Sequence, residues 1–152
     1  MATQLQEGEK APLFSGNDQD GKTISLKDFR GKKVVLFFYP EDDTPTCTVQ
    51  ACNLRDNYGA LKKAGYEVIG ISPNDEKSHQ KFKTKFHLPF TLIADPAHSI
   101  INKYGVWGEK KLYGRTYDGL HRTTFVIDEK GVIEKIFLRP RNKAHAEEIL
   151  KA

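Results

Sequence analysis

Cysteine is scarce in this chain, with two among 152 residues, Cys47 and Cys52. That excludes a disulfide-stapled secreted scaffold, which needs several bridges. Long apolar runs are missing too. The longest, Val34 to Tyr39, has six residues, far short of the ~20 needed to span a bilayer as a helix. The first ten residues, MATQLQEGEK, are polar and lack the apolar core of a secretory signal, so a cytoplasmic, membrane-free protein is expected. Charge of one sign is not concentrated anywhere. The 24 Lys and Arg are interspersed with 20 Asp and Glu for a net +4, which reads as a solvated mixed surface. No basic stripe, zinc-finger spacing or aromatic RNA-binding signature is present, so no nucleic-acid partner is expected. The five histidines, His79, His87, His98, His121 and His145, lack metal-ligand spacing and read as surface or packing residues, with no metal expected. No repeat, low-complexity tract or linker divides the chain. Its length suits one domain on a prior of roughly 150 residues each.

The apolar run Val34–Tyr39 is rich in β-branched and aromatic residues and suits a strand buried on both faces, stopped by Pro40. Leu13-Phe14 and Thr23–Leu26 read as short strands around an Asp-Gly turn, and Ser25–Asp28 as one helical turn. A polar loop, Glu41–Thr46, precedes a helix beginning near Cys47 with Thr46 as its cap and ending at Gly65. Its buried face is Cys47, Ala51, Leu54, Tyr58 and Leu61, spaced 4, 3, 4, 3. Further expectations are a strand over Tyr66–Ile71, a helix from Asp75 bearing Phe82 and Phe86, and a strand over Phe90–Ile93. A helix over His98–Tyr104 follows, capped by Asp95-Pro96. Arg122–Ile127 and Val132–Leu138 flank Asp128-Glu129-Lys130-Gly131 as a hairpin, and residues 144–151 form a last helix. The order predicts an α/β domain over residues 1–152, with a mixed sheet and helices on both faces.

Cys47 falls in the first turn of a helix that follows a buried strand. Unpaired backbone N–H groups and the positive end of the helix dipole then point at its sulfur and favour thiolate over thiol. The same position also suits a small buried core residue. Thr44, three residues earlier, can bend its hydroxyl back toward the sulfur, and Pro40 stiffens the loop and screens it from water. Arg122 precedes an apolar strand whose start lies near the helix N-terminus. A guanidinium there stabilises a thiolate and a departing oxyanion, while an exposed strand-end charge is the other reading. Glu41, Asp42 and Asp43 would oppose a thiolate if they faced it, so they are expected to point to solvent or to be outweighed. Cys52 lies five residues on from Cys47, ~140° around the helix axis with a rise of ~7.5 Å. The Cα atoms are then roughly 8–9 Å apart, beyond the ~7 Å limit for a disulfide. A bond between them requires the helix start to unwind.

The stretch FYPEDDTPTCTVQACNLRD, residues 38–56, resembles the active-site segment of peroxiredoxins. Within them it is closest to the bacterioferritin comigratory protein or peroxiredoxin Q subfamily. The signature Pro-x-x-x-Thr-x-x-Cys falls on Pro40, Thr44 and Cys47, and the subfamily's second cysteine on Cys52. RTTFVID is similar to the family's arginine-bearing strand and places the site arginine at Arg122, and WGEKKLYG (107–114) is also similar. One departure is Thr46, where the subfamily often has Gly. The resemblance spans about residues 8–151. It implies a thioredoxin-like fold and a thiol peroxidase acting on hydrogen peroxide or alkyl hydroperoxides. Cys47 becomes a sulfenic acid that Cys52 resolves to an intramolecular disulfide, recycled by thioredoxin or a similar dithiol. The resemblance also implies no cofactor and a monomer. Phe38, Trp107 and Tyr113 are candidates for setting pocket width. Two rival readings stay open at this point: a disulfide oxidoreductase, against which the absent Cys-x-x-Cys argues, and a non-enzymatic binding module on the same fold.

Overall fold

The computed structural model describes residues 3–151. In chain order the elements are β1 (Ser15–Asp18), β2 (Thr23–Ser25), a 3-10 turn (Leu26–Phe29), β3 (Lys33–Phe38), α1 (Pro45–Asp56), α2 (Tyr58–Lys63) and β4 (Tyr66–Ser72). There follow α3 (Glu76–Phe86), β5 (Thr91–Ala94), α4 (Ser99–Lys103), β6 (Trp107–Leu112), β7 (Arg115–Leu120), β8 (Thr123–Ile127), β9 (Ile133–Phe137) and α5 (His145–Lys151). Seven strands make one mixed sheet in the order β2-β1-β5-β4-β3-β8-β9. β3, β4 and β5 run parallel, while β1 and β8 are antiparallel to their neighbours. The expected thioredoxin-like α/β architecture is the one observed.

The central strand β3 shows why the core lies on both sides. Val34, Leu36 and Phe38 enter one buried cluster with Ile100, Ile101 and Tyr104 near α4. Val35, Phe37 and Tyr39 enter the other with Cys47, Ala51 and Leu54 of α1, Leu61 of α2, Phe82 of α3 and Ile149 of α5. A period of two sends alternate side chains to opposite faces, and both faces are covered, so the run is apolar throughout. Gly70 on β4 admits the Phe37 ring, because a Cβ there would lie 2.7 Å from Cζ. Phe38 belongs to the cluster away from Cys47, packed on Tyr104 and Phe125, so it does not shape a pocket at that sulfur. Tyr113, 95% exposed at the hairpin tip, does not either.

Several local expectations are corrected. The helix expected over 47–65 breaks at Asn57, whose side-chain amide donates to the Asn53 carbonyl at 2.9 Å and competes with the backbone ladder. Its N-cap is Thr44 rather than Thr46, because Pro45 takes the first helical position, where its missing N–H is harmless. The helix after Asp95-Pro96 starts later, at Ser99. Asp95 still serves it from a distance, accepting from the Ile101 N–H at 2.8 Å and the Ser99 hydroxyl at 3.2 Å. The first strand is Ser15–Asp18 rather than Leu13-Phe14. Residues 107–120, given no element from sequence, form a two-stranded hairpin, β6–β7. Among the described residues no helix is long and apolar enough to cross a membrane.

Candidate active site

Sheet register assembles the site. β3 and β8 pair antiparallel with Phe38 opposite Thr123. The residue before Thr123 therefore lies at the sheet end where β3 hands over to the loop into α1. That residue is Arg122. Its Nη2 donates to Cys47 Sγ at 3.1 Å, although the two are 75 residues apart in sequence. Cys47 sits in the first turn of α1, 2% exposed and facing Phe37, Tyr39 and Ala51. A guanidinium hydrogen and a helix N-terminus converge on one sulfur, and both favour negative charge there.

Thr44, the N-cap, donates its hydroxyl hydrogen to the Glu41 carbonyl at 3.0 Å. Pro40, partly buried, closes β3 and opens the loop. Of the three acids, Glu41 and Asp43 point outward as expected. Asp42 does not: it is buried, turned toward Tyr39, Ser78 and His79. The fixed charge touching the sulfur is the Arg122 cation. Cys52 is a free thiol, partly buried on the flank of α1. Burial foremost pushes its pKa above the ordinary thiol value; Asp56 adds to this and Arg55 opposes it. Both cysteines lie on one unbroken helix, so the sulfurs are held apart by helical geometry.

Sequence reasoning missed Gln50. It is fully buried on α1, one turn past Cys47, and its Oε1 accepts from Arg122 Nη1 at 2.6 Å. Arg122 is thus held at two points on the same helix face. Gln50 Nε2 is buried with no hydrogen-bond partner among the described residues. The one available signal was a polar residue three positions after Cys47 on an otherwise apolar stripe. His79 and His145 are fully buried in hydrogen-bonded pairs rather than merely packed. His121, beside Arg122, contacts the Glu109 carbonyl at 3.0 Å and not the sulfur. Among the described residues no group of His, Cys, Asp or Glu has the arrangement of a metal site. Trp107 lies at the root of the hairpin, packed against His98 with ring centroids 4.4 Å apart and the ring planes tilted by 39°.

Comparison with known proteins agrees with this arrangement. A family model described as the AhpC/TSA family matches residues 8–136. Peroxiredoxin Bcp of Escherichia coli K12 is 47% identical over 146 residues, which cover 96% of this chain and 94% of that one. A putative peroxiredoxin bcp of Coxiella burnetii is 45% identical over 146 residues, covering 96% and 97%. A solved structure of the Xanthomonas campestris bacterioferritin comigratory protein, from a study of its alkyl peroxide reduction activity, superposes with a TM-score of 0.86. It is 26% identical and covers 93% of this chain and 94% of that one. With a relative matched over 96% of the chain, the same fold and a cysteine held by an arginine at a helix start, the chain belongs to the AhpC/TSA family, as a peroxiredoxin of the bacterioferritin comigratory protein and peroxiredoxin Q group.

Proposed function

We propose that this peroxiredoxin reduces hydrogen peroxide and alkyl hydroperoxides through Cys47, with Cys52 as the resolving thiol and thioredoxin or a similar dithiol as the reductant. The observation that carries the reading is the 3.1 Å bond from Arg122 to the Cys47 sulfur at the first turn of α1. The thiolate attacks one peroxide oxygen and the O–O bond breaks. The oxygen attacked stays on sulfur as sulfenic acid, and the other leaves as water or alcohol after taking a proton. Arg122 and the first N–H groups of α1 face the place where negative charge develops on the leaving oxygen. Thr44 has its hydroxyl hydrogen committed to Glu41, so it offers oxygen lone pairs to the peroxide O–H and orients it.

The Cys52 thiolate then attacks the sulfenic sulfur, the S–O bond breaks as the disulfide forms, and the departing hydroxide takes a proton from solvent to leave as water. A dithiol reduces that bond by exchange. With both cysteines in one chain, the cycle needs no second subunit, and a monomer is the working unit. The alkyl peroxide activity of the Xanthomonas campestris relative favours including alkyl hydroperoxides. The test is peroxide consumption coupled to thioredoxin, its reductase and NADPH. Turnover is expected in the wild type and none in Cys47→Ser. Cys52→Ser should consume one peroxide equivalent and then stop, whereas the oxidised wild type should lose two hydrogens and yield a Cys47–Cys52 peptide. A Cys47→Ser variant as active as wild type, or an intermolecular disulfide in place of the internal one, would overturn the scheme.

A further inference from the structure

Beside the site lies a buried polar cluster that the peroxide chemistry does not use. Asp42, 9% exposed, sits in the loop between β3 and α1. Its carboxylate accepts from the Tyr39 hydroxyl at 2.5 Å, the Ser78 hydroxyl at 2.8 Å and His79 Nδ1 at 2.7 Å. Its backbone N–H donates to Asn74 Oδ1 at 2.9 Å, and the Ser72 hydroxyl holds that same oxygen at 2.8 Å. Burial and the adjacent Asp42 keep the Tyr39 proton in place, which leaves Tyr39 a donor. On its other side, His79 Nε2 meets the Ile93 carbonyl of β5 at 2.9 Å. Both ring nitrogens of His79 are thus engaged, one by the loop and the other by the sheet. A buried hydrogen-bonded pair ties one loop to α3 and to the sheet.

That loop is under strain. Asp43, the next residue, is in the left-handed region at φ 59, which residues with a Cβ seldom occupy. Such a conformation persists only where neighbours over-determine it. Here Asp42 is clamped from four directions, Asp43 is paired to Lys85 at 2.7 Å, and Thr44 is fastened to Glu41. Thr44 follows Asp42 by two residues, and Cys47 by five. A misplacement of about 1 Å at a reacting group can cost on the order of 10²-fold in rate.

We infer that Asp42 and His79 are positioning residues for the peroxide reaction: their buried pair holds the Pro40–Thr44 loop so that Thr44 and the start of α1 meet the peroxide in register. The inference rests on the reading of Cys47 as the oxidised sulfur. Neither side chain touches substrate. They act through Thr44.

The test compares two reactions of the same sulfur in a Cys52→Ser background, where Cys47 is the sole thiol. Oxidation by hydrogen peroxide needs the oriented loop, whereas alkylation by monobromobimane needs only an accessible thiolate. Asp42→Ala is expected to slow peroxide oxidation by about 10²-fold while alkylation is not slowed. Asp42→Asn can still accept from Tyr39 and donate to a neutral His79 that keeps its hydrogen on Ile93. It is therefore expected to recover the peroxide rate to within about tenfold of the parent. Should Asp42→Ala not fold, His79→Gln, which can keep one of the two contacts, is expected to be about tenfold slower with peroxide and unchanged in alkylation. Peroxide and alkylation rates that fall together, or a peroxide rate unchanged on breaking the pair, would overturn the inference. A parent thiol inert to peroxide would instead remove the catalytic reading beneath it.

Discussion

Gln50→Leu separates what holds the fold from what holds the site. Gln50 is fully buried, and its Oε1 takes a 2.6 Å bond from Arg122 while its Nε2 has no partner among the described residues. Leucine is of similar volume and removes both polar atoms. Loss of a hydrogen bond to a charged group costs about 1.5–3 kcal/mol. Removing a buried unsatisfied donor returns about 1–3 kcal/mol. The two nearly cancel, so the unfolding free energy in urea is expected to stay within about 1 kcal/mol of wild type. The site has no such compensation. Arg122 is half-exposed and loses one of its two tethers, so the guanidinium spends less time on the sulfur. If its hold on the transition state weakens by about 1.5–3 kcal/mol, peroxide oxidation of Cys47 slows about 10- to 150-fold. Stopped-flow oxidation and urea melts on the same preparations give both numbers. A loss of stability beyond about 3 kcal/mol, or an unchanged oxidation rate, would refute the reasoning.

Asn53 joins α1 to α5: its amide donates to the Lys143 carbonyl at 3.0 Å and to Glu147 at 3.1 Å, and its oxygen accepts from the Ala146 N–H at 2.7 Å. Asn53→Ala is expected to cost about 1–2 kcal/mol of stability and to speed Cys47–Cys52 disulfide formation several-fold in quenched-flow mass analysis; an unchanged rate would show that α5 does not restrain the helix. Because burial raises the Cys52 pKa, disulfide formation should rise about tenfold per pH unit up to the ordinary thiol value of ~8.5 and continue past it. A plateau at or below that value would mean that Cys52 leaves its seat before it loses its proton. His145 is shifted down, chiefly by burial and further by Arg122, against the opposing pull of Glu148. Below the unfolded histidine value of ~6.5 the unfolded chain then binds more protons, so stability is full above that pH and falls as pH drops beneath it. His145→Gln should flatten this slope in urea melts taken from about pH 5 to 7.5, and a slope unchanged by the substitution would rule His145 out as its source.

Much of the fold could be read locally. The run Val34–Tyr39 is apolar on both faces because both are covered, and the Cys47–Ala51–Leu54–Leu61 stripe is the buried side of the helices that cover one of them. Asp128–Gly131 announced the β8–β9 turn through glycine, which has φ 84 at Gly131. The β6–β7 hairpin left no such trace. Residues 113–118 are exposed throughout, so no alternation of apolar and polar marks the strands. At the site, local signals reached Cys47, Thr44 and Pro40, and offered Arg122 at the start of its strand with an exposed end charge as the other reading, between which the resemblance chose. Gln50 to Arg122 spans 72 residues and Asp42 to His79 spans 37. Such pairs are made by strand register and helix packing. A single chain of letters holds no local mark of them.

The same contacts that favour oxidation stand against resolution. On a continuous helix Cys47 and Cys52 cannot bond, since their Cα atoms lie roughly 8–9 Å apart. The Asn53 contacts to α5 begin one residue beyond Cys52, so the stretch left to unwind is Pro45–Cys52. Opened out, the five steps from Cys47 to Cys52 reach up to ~17 Å, ample slack for the sulfurs to meet. What resists the opening is the burial of Cys47 and Ala51 together with the fork of Arg122, which grips α1 at Cys47 and Gln50. Arg122 therefore stabilises the closed helix in which the peroxide is attacked and must let go before the proposed disulfide can form. Gln50→Leu breaks one prong of that fork. It should oxidise more slowly and, once oxidised, form the disulfide faster, the two rates moving in opposite directions in one single-turnover experiment. If both rates fell together, Arg122 would not be the element that couples the two steps.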